Sequence, residues 1–166
     1  MRQLLSTCFC LLTQVAPGQS SKPLLLSSSN TALFEQLTAG LEASRLYQLY
    51  RADLKLKQVR RNRHEPAIKD SVLLATTPTD HLELFKNRYN TLLLGATFTS
   101  TKVSFGVLKI GVTKEVFCRT LHLSPAYTTY AFTDGMENFV QLTCTFASGK
   151  LKRVEYNYLV NPDSID

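Results

Sequence analysis

The side chains able to do chemistry are few and scattered. The three histidines, His64, His81 and His122, lie at no metal-ligand spacing from another His, Cys or carboxylate. His64-Glu65 falls in a basic run, where a solvated loop is the simpler reading than a catalytic pair without a converging third group. Serines are plentiful, but no Gly-x-Ser-x-Gly or Ser-x-x-Lys nucleophile pattern occurs. Phe105-Gly106 and Ile110-Gly111 are not a phosphate loop, because no glycine-rich run with a lysine opens the following helix. Asp134, Glu137, Asp163 and Asp166 do not have calcium-loop spacing. No cofactor and no metal are expected, and the reading leans away from an enzyme.

Three other constellations remain. The first is a cationic stretch, Arg51, Lys55, Lys57, Arg60, Arg61 and Arg63, interrupted by Asp53. It could attract an anionic envelope surface or an acidic partner protein, or it could be the guarded edge of a sheet, where lysines discourage aggregation. The second is a set of tyrosines, Tyr127, Tyr130, Tyr156 and Tyr158, which fit either a binding face on the concave side of a sheet or core and rim packing. The third is the pair Cys118 and Cys144. Cys144 points inward on its strand, and the helical wheel puts Cys118 at the edge of a buried face, so a disulfide and two small buried thiols both fit. A disulfide tethering helix to hairpin would contribute on the order of 3 kcal/mol.

The elements that must position these groups follow from periodicity. Leu33, Phe34, Leu37 and Leu41 share a helical face, which predicts a helix over Ala32 to Ala39 after the turn Ser27 to Asn30. Residues 44–58 fit a helix through Leu46, Leu49 and Tyr50 and a strand through Asp53 to Lys57; a strand from Arg51 to Val59 is preferred. Strands are expected at Ser71 to Thr76, His81 to Lys86 and Thr91 to Phe98, with turn residues closely spaced between them, as in an antiparallel meander. Gly111 and Thr113 open a second helix, Thr113 to about Leu121, with Val116, Phe117, Thr120 and Leu121 on its apolar face and Lys114, Glu115 and Arg119 pointing away. After a strand at Tyr127 to Thr133 and a turn at Asp134-Gly135, Val140, Leu142, Cys144 and Phe146 alternate with Gln141, Thr143 and Thr145. Ser148-Gly149 turns this strand back on one that points Val154, Tyr156 and Tyr158 inward. The expected fold is α+β, an antiparallel meander with two short helices packed on one face.

At 166 residues, 44% apolar and 19% charged, the chain is long enough for one domain with a proper core, and it carries a net charge of +6. Its N-terminus reads as an export signal. Met1-Arg2 is positive, Leu4 to Ala16 is mostly apolar, and Ala16-Pro17-Gly18 places small residues where a signal peptidase reads them. The organisation expected is therefore a signal peptide over residues 1–18 and a single domain over 19–166. Cleavage would remove Cys8 and Cys10 and leave Cys118 and Cys144 for an oxidising compartment. Leu5-Ser6-Thr7-Cys8 is a poor lipidation box, and no later run is long enough to span a membrane.

The helix-then-hairpin stretch Ile110-Gly111-Val112-Thr113-Lys114-Glu115-Val116-Phe117 and Phe146-Ala147-Ser148-Gly149-Lys150-Leu151-Lys152-Arg153-Val154 resembles β-lactamase-inhibitor-like domains and the small lipoprotein of the outer-membrane barrel-assembly machinery. It looks closer still to uncharacterised exported proteins of Bacteroidetes-type bacteria. The resemblance covers about residues 107–160. It implies helices laid on one face of an antiparallel sheet and action by binding other proteins; it carries over no functional residue. The expected role is a periplasmic or secreted non-enzymatic interaction module of the bacterial envelope. Its partner would be an envelope protein or an anionic envelope surface, and not nucleic acid. The alternative is a small carrier whose curled sheet encloses a lipid or other apolar ligand.

Overall fold

The structure, a computed structural model, describes residues 23–26, 31–134 and 140–159. The signal segment, the Ser27 to Asn30 turn, the Gly135 end of the second turn and the polar tail from Asn161 lie outside the described residues. In chain order the elements are β1 (Leu24–Leu26), α1 (Thr31–Thr38), α2 (Ala43–Leu49), β2 (Leu54–Arg61), β3 (Lys69–Thr76), β4 (Asp80–Lys86), β5 (Thr91–Phe98), β6 (Ser104–Phe105), β7 (Leu108–Lys109), α3 (Lys114–Thr120), β8 (Thr129–Thr133), β9 (Val140–Ala147) and β10 (Lys150–Tyr158).

The main sheet has the order β1-β8-β9-β10-β5-β4-β3-β2. Strands β2 to β5 form one antiparallel meander and β8 to β10 a second, and β10 pairs antiparallel with β5 to join them. The fold is α+β, as the periodicity implied. β1 departs from the pattern: it runs parallel to β8, pairing Leu24 with Tyr130. β6 and β7 form a separate short ribbon.

The helices cover one face. Phe34 and Leu37 of α1, Leu46 of α2 with Tyr50 just beyond it, and Phe117 and Cys118 of α3 share a core with Leu82, Leu84, Ala96, Phe98, Leu142, Cys144, Phe146 and Val154, the alternating residues of the strands. Between Leu41 and Val59 both sequence signals were real. α2 ends at Leu49, the amides of Asp53 and Leu54 return to the Tyr50 carbonyl at 2.8 and 3.1 Å, and β2 starts at once. A third helix thus joins the two expected.

The α1 region is held close to the β6–β7 ribbon. A Cβ added at Gly40 would lie 1.9 Å from the Ser104 carbonyl oxygen, and one at Gly106, where φ is +61°, would lie 2.3 Å from that of Gln36. Only glycine permits this approach.

α3 is seated more deeply than its sequence suggested. Its Thr113 hydroxyl caps the Val116 amide, and Gly111, Val112 and Lys114 hydrogen-bond to the β9–β10 hairpin, the Lys114 amide donating to the Gly149 carbonyl at 2.8 Å. The buried stripe is Lys114, Phe117, Cys118 and Leu121, spaced i, i+3, i+4, i+7. Val116, expected inside, is exposed; Lys114, expected outside, is buried. The stitching to the hairpin rotates the helix, and a face assigned from apolar residues alone missed it.

Candidate interaction surface

β2 is where the sheet stops. Among the described residues no strand pairs with its outer edge; the opposite edge of the sheet is the three-residue β1, so β2 is much the longer of the two edges. It is also almost uncovered: of its eight residues only Leu54 and Arg60 are half-buried and the rest are exposed. The ladder sets which way each side chain points. Leu54, Leu56 and Val59 lie opposite Ala75, Leu73 and Ser71, on the helix-bearing side; Lys55, Gln58 and Arg60 lie opposite Leu74, Val72 and Asp70, on the other. A bulge at Lys57 keeps Leu56 and Val59 on one side of the strand although they are three residues apart, and it turns the Lys57 ammonium toward Glu83 at 2.9 Å. Leu56 is 61% and Val59 46% exposed, so two large apolar side chains stand at the rim of the helical face.

The basic loop beyond β2 is shaped by its own side chains. Asn62 Oδ1 accepts the amides of His64 and Glu65 at 3.0 Å, and Asn62 Nδ2 donates to Asp70 at 3.1 Å. Asn87 Nδ2 also donates to Asp70, at 3.2 Å, so one buried carboxylate ties this loop to the β4–β5 turn. The cations expected to act together are therefore gathered: Lys55, Lys57, Arg60 and Arg61 on one edge strand, Arg51 before it and Arg63 in the loop after it.

The tyrosine set does not form a surface. Tyr130 is fully buried, its hydroxyl donating to the Ser124 carbonyl at 2.7 Å, and Tyr127 packs edge-on against it. Tyr156 and Tyr158 are half-buried against the core. Burial, then the neighbouring Tyr158 and Asp134, push the Tyr156 hydroxyl up to about 12, so it stays protonated.

Cys118 and Cys144 are both buried and free. The Cys118 sulfur lies 3.2 Å from the Tyr130 hydroxyl, and burial pushes the Cys144 thiol up to about 12. Cys144 therefore presents no reactive thiolate. The histidines stay apart in role. His81 Nδ1 contacts Thr76 Oγ1 at 3.2 Å, His64 belongs to the Asn62 turn, and His122 is exposed at a φ of 54°. Among the described residues no three His, Cys, Asp or Glu side chains gather to hold a metal ion, and no helix is long and apolar enough to cross a membrane.

Sequence reasoning missed one polar cluster. Asp80, buried at the head of β4, accepts hydrogen bonds from the Tyr50 hydroxyl (2.8 Å), the Ser100 hydroxyl (2.6 Å) and the amides of Thr99 (3.0 Å) and Ser100 (3.1 Å). Burial drives its carboxyl up, but the bonds from Ser100, Tyr50 and the two amides outweigh this and hold it below the usual carboxylate value. Burial and the Asp80 hydrogen bond push the Tyr50 hydroxyl well above an ordinary phenol. Lys102 sits 4.0 Å over the Tyr50 ring. With four donors converging on one carboxylate and no histidine to activate Ser100, the cluster works as a clamp between the end of α2 and the ends of β4 and β5. The side-chain partners of Asp80, Tyr50 and Ser100, lie 30 and 20 residues away along the chain, beyond the reach of local pattern.

A groove of about 330 Å³ opens between α1 and the end of α3, lined by Leu33, Gln36, Leu121 and His122 among others. It lies outside the sheet-and-helix interior, which is filled around Phe117: its ring is 4.9 Å from Phe146, 5.5 Å from Tyr130 and 6.5 Å from Phe132. Compared with protein-family models, with curated proteins and with solved structures, the chain finds no match.

Proposed function

We propose that the chain is a non-enzymatic interaction module of the bacterial envelope, exported to the periplasm or beyond, and that it meets an anionic partner through the β2 edge and the loop that follows. The observation that carries this reading is the uncovered β2 strand, whose exposed positions are cationic except for Leu56, Gln58 and Val59. Export rests on the N-terminal pattern of Met1-Arg2, the apolar Leu4 to Ala16 stretch and Ala16-Pro17-Gly18. The aromatic packing around Phe117 favours a module over a carrier, because it fills the space a ligand would need under the helices.

Two measurements test it. Intact mass of the protein from fractionated bacterial cells should give a periplasmic species starting near Gln19; a full-length cytoplasmic species overturns export. Retention on immobilised polyglutamate should fall with salt and be largely lost when Arg51, Lys55 and Arg61 are all changed to Glu. Equal retention of the triple variant overturns the assignment of this surface.

A further inference from the structure

The geometry points to a specific partner chemistry: we propose that β2 receives an extended acidic peptide segment of another protein as an added strand, extending the eight-stranded sheet. This rests on the interaction-module reading above and specifies how it works.

Three features of the edge support it. A strand with an open side offers a row of backbone donors and acceptors at strand spacing, which an extended segment matches and a helix does not. The side chains flanking that row are sorted by face. Leu56 and Val59 stand on the helix-bearing side, and Lys55, the Lys57 stem and Arg60 on the other. A strand laid alongside alternates its own side chains in the same way, so the matching sequence alternates apolar with Asp or Glu residues. Arg51 and Arg61, both exposed, bracket the two ends of the row and extend the positive field over it.

The same sorting decides between occupants. A second copy of this chain would set Lys55 and Lys57 beside Arg60 and Arg61 of its twin, and like charges across a strand pair repel. A membrane surface takes apolar and cationic groups from one side of an element, whereas here Lys55 and Arg60 lie on the opposite side of the strand from Leu56 and Val59, and of the strand's cations only Arg61 shares their side. The lysines thus reject self-pairing and admit an acidic partner, a specificity set as much by repulsion as by attraction.

The test uses the full protein and two synthetic peptides spanning the eight residues of β2. One alternates Val and Glu; the other has the same charge but is interrupted by prolines, which remove backbone donors and prevent strand pairing. Binding is measured by calorimetry beside anionic phosphatidylglycerol vesicles, for the native chain, for Lys55→Glu and for the distant, exposed Lys109→Glu as control. The expected result is binding of the alternating peptide roughly tenfold or more tighter than the interrupted one. That binding should be lost in Lys55→Glu and kept in Lys109→Glu. Equal binding of both peptides, or binding of vesicles alone, overturns strand addition while leaving a basic interaction surface. No binding of either peptide or of vesicles overturns both.

Discussion

The two ends of the sheet are built on opposite principles. At the β8–β9–β10 end the strands are buried on their inner face by α3, the edge strand is only the three-residue β1, and the hairpin is stitched to the helix N-terminus by backbone bonds. At the β2–β3 end the strand is long, open and exposed on both sides, with cations where the first end has aromatic rings. The first end supplies cohesion. The second, relieved of that task, keeps polar and charged residues that contribute little to stability and so are free to meet a partner.

This contrast is broken most severely in the aromatic cluster. Phe117→Ala removes a fully buried ring from contact with Tyr130, Phe132 and Phe146 and should cost about 3–5 kcal/mol in urea unfolding. Leu56→Ala on the open strand, also a large-to-small change, should stay within about 0.5 kcal/mol. If the two costs come out alike, the division between the ends is wrong.

The Asp80 clamp lies between these extremes. Asp80→Ala leaves the Tyr50 hydroxyl and the Thr99 and Ser100 amides without their acceptor, and about 1–3 kcal/mol should be lost. The sign with pH follows from its lowered native pKa. The contribution is complete above the unfolded carboxylate value of about 4 and is lost as pH falls through the lower native value. Acid titration of stability should therefore flatten in Asp80→Asn below about pH 4. An unchanged acid limb would remove Asp80 from the account.

A smaller effect than that of the clamp tests how firmly α3 is seated. Thr113→Ala removes the cap on the Val116 amide, which is long at 3.4 Å, and should cost about 0.5–1 kcal/mol by thermal unfolding. A larger loss would mean that the helix N-terminus, and not only Phe117, holds the α3 end of the sheet together.

Much of this was legible in the residues. The alternation of Val140, Leu142, Cys144 and Phe146, the Ser148-Gly149 turn and the closely spaced turns from Thr76 to Thr91 specify their strands by local pattern alone, and each is where the pattern puts it. The cationic surface was legible for the same reason: six basic residues from Arg51 to Arg63 need only one strand and one loop to gather. The tyrosines and the Asp80 clamp were not, because their fate depends on residues distant in sequence. Tyr130 is buried by Phe117 and Phe146, and Tyr50 finds Asp80 only after α2 has packed on the sheet.

The sequence by itself determined the α+β class, the strand pairs joined by short turns and the location of positive charge, all consequences of local periodicity and proximity along the chain. Only the tertiary structure decided that β10 joins the two meanders, that α3 turns Lys114 inward and Val116 outward, and that β2 is a long, exposed edge of the sheet. Those outcomes depend on which surfaces exclude water together, and that is a property of the assembled core.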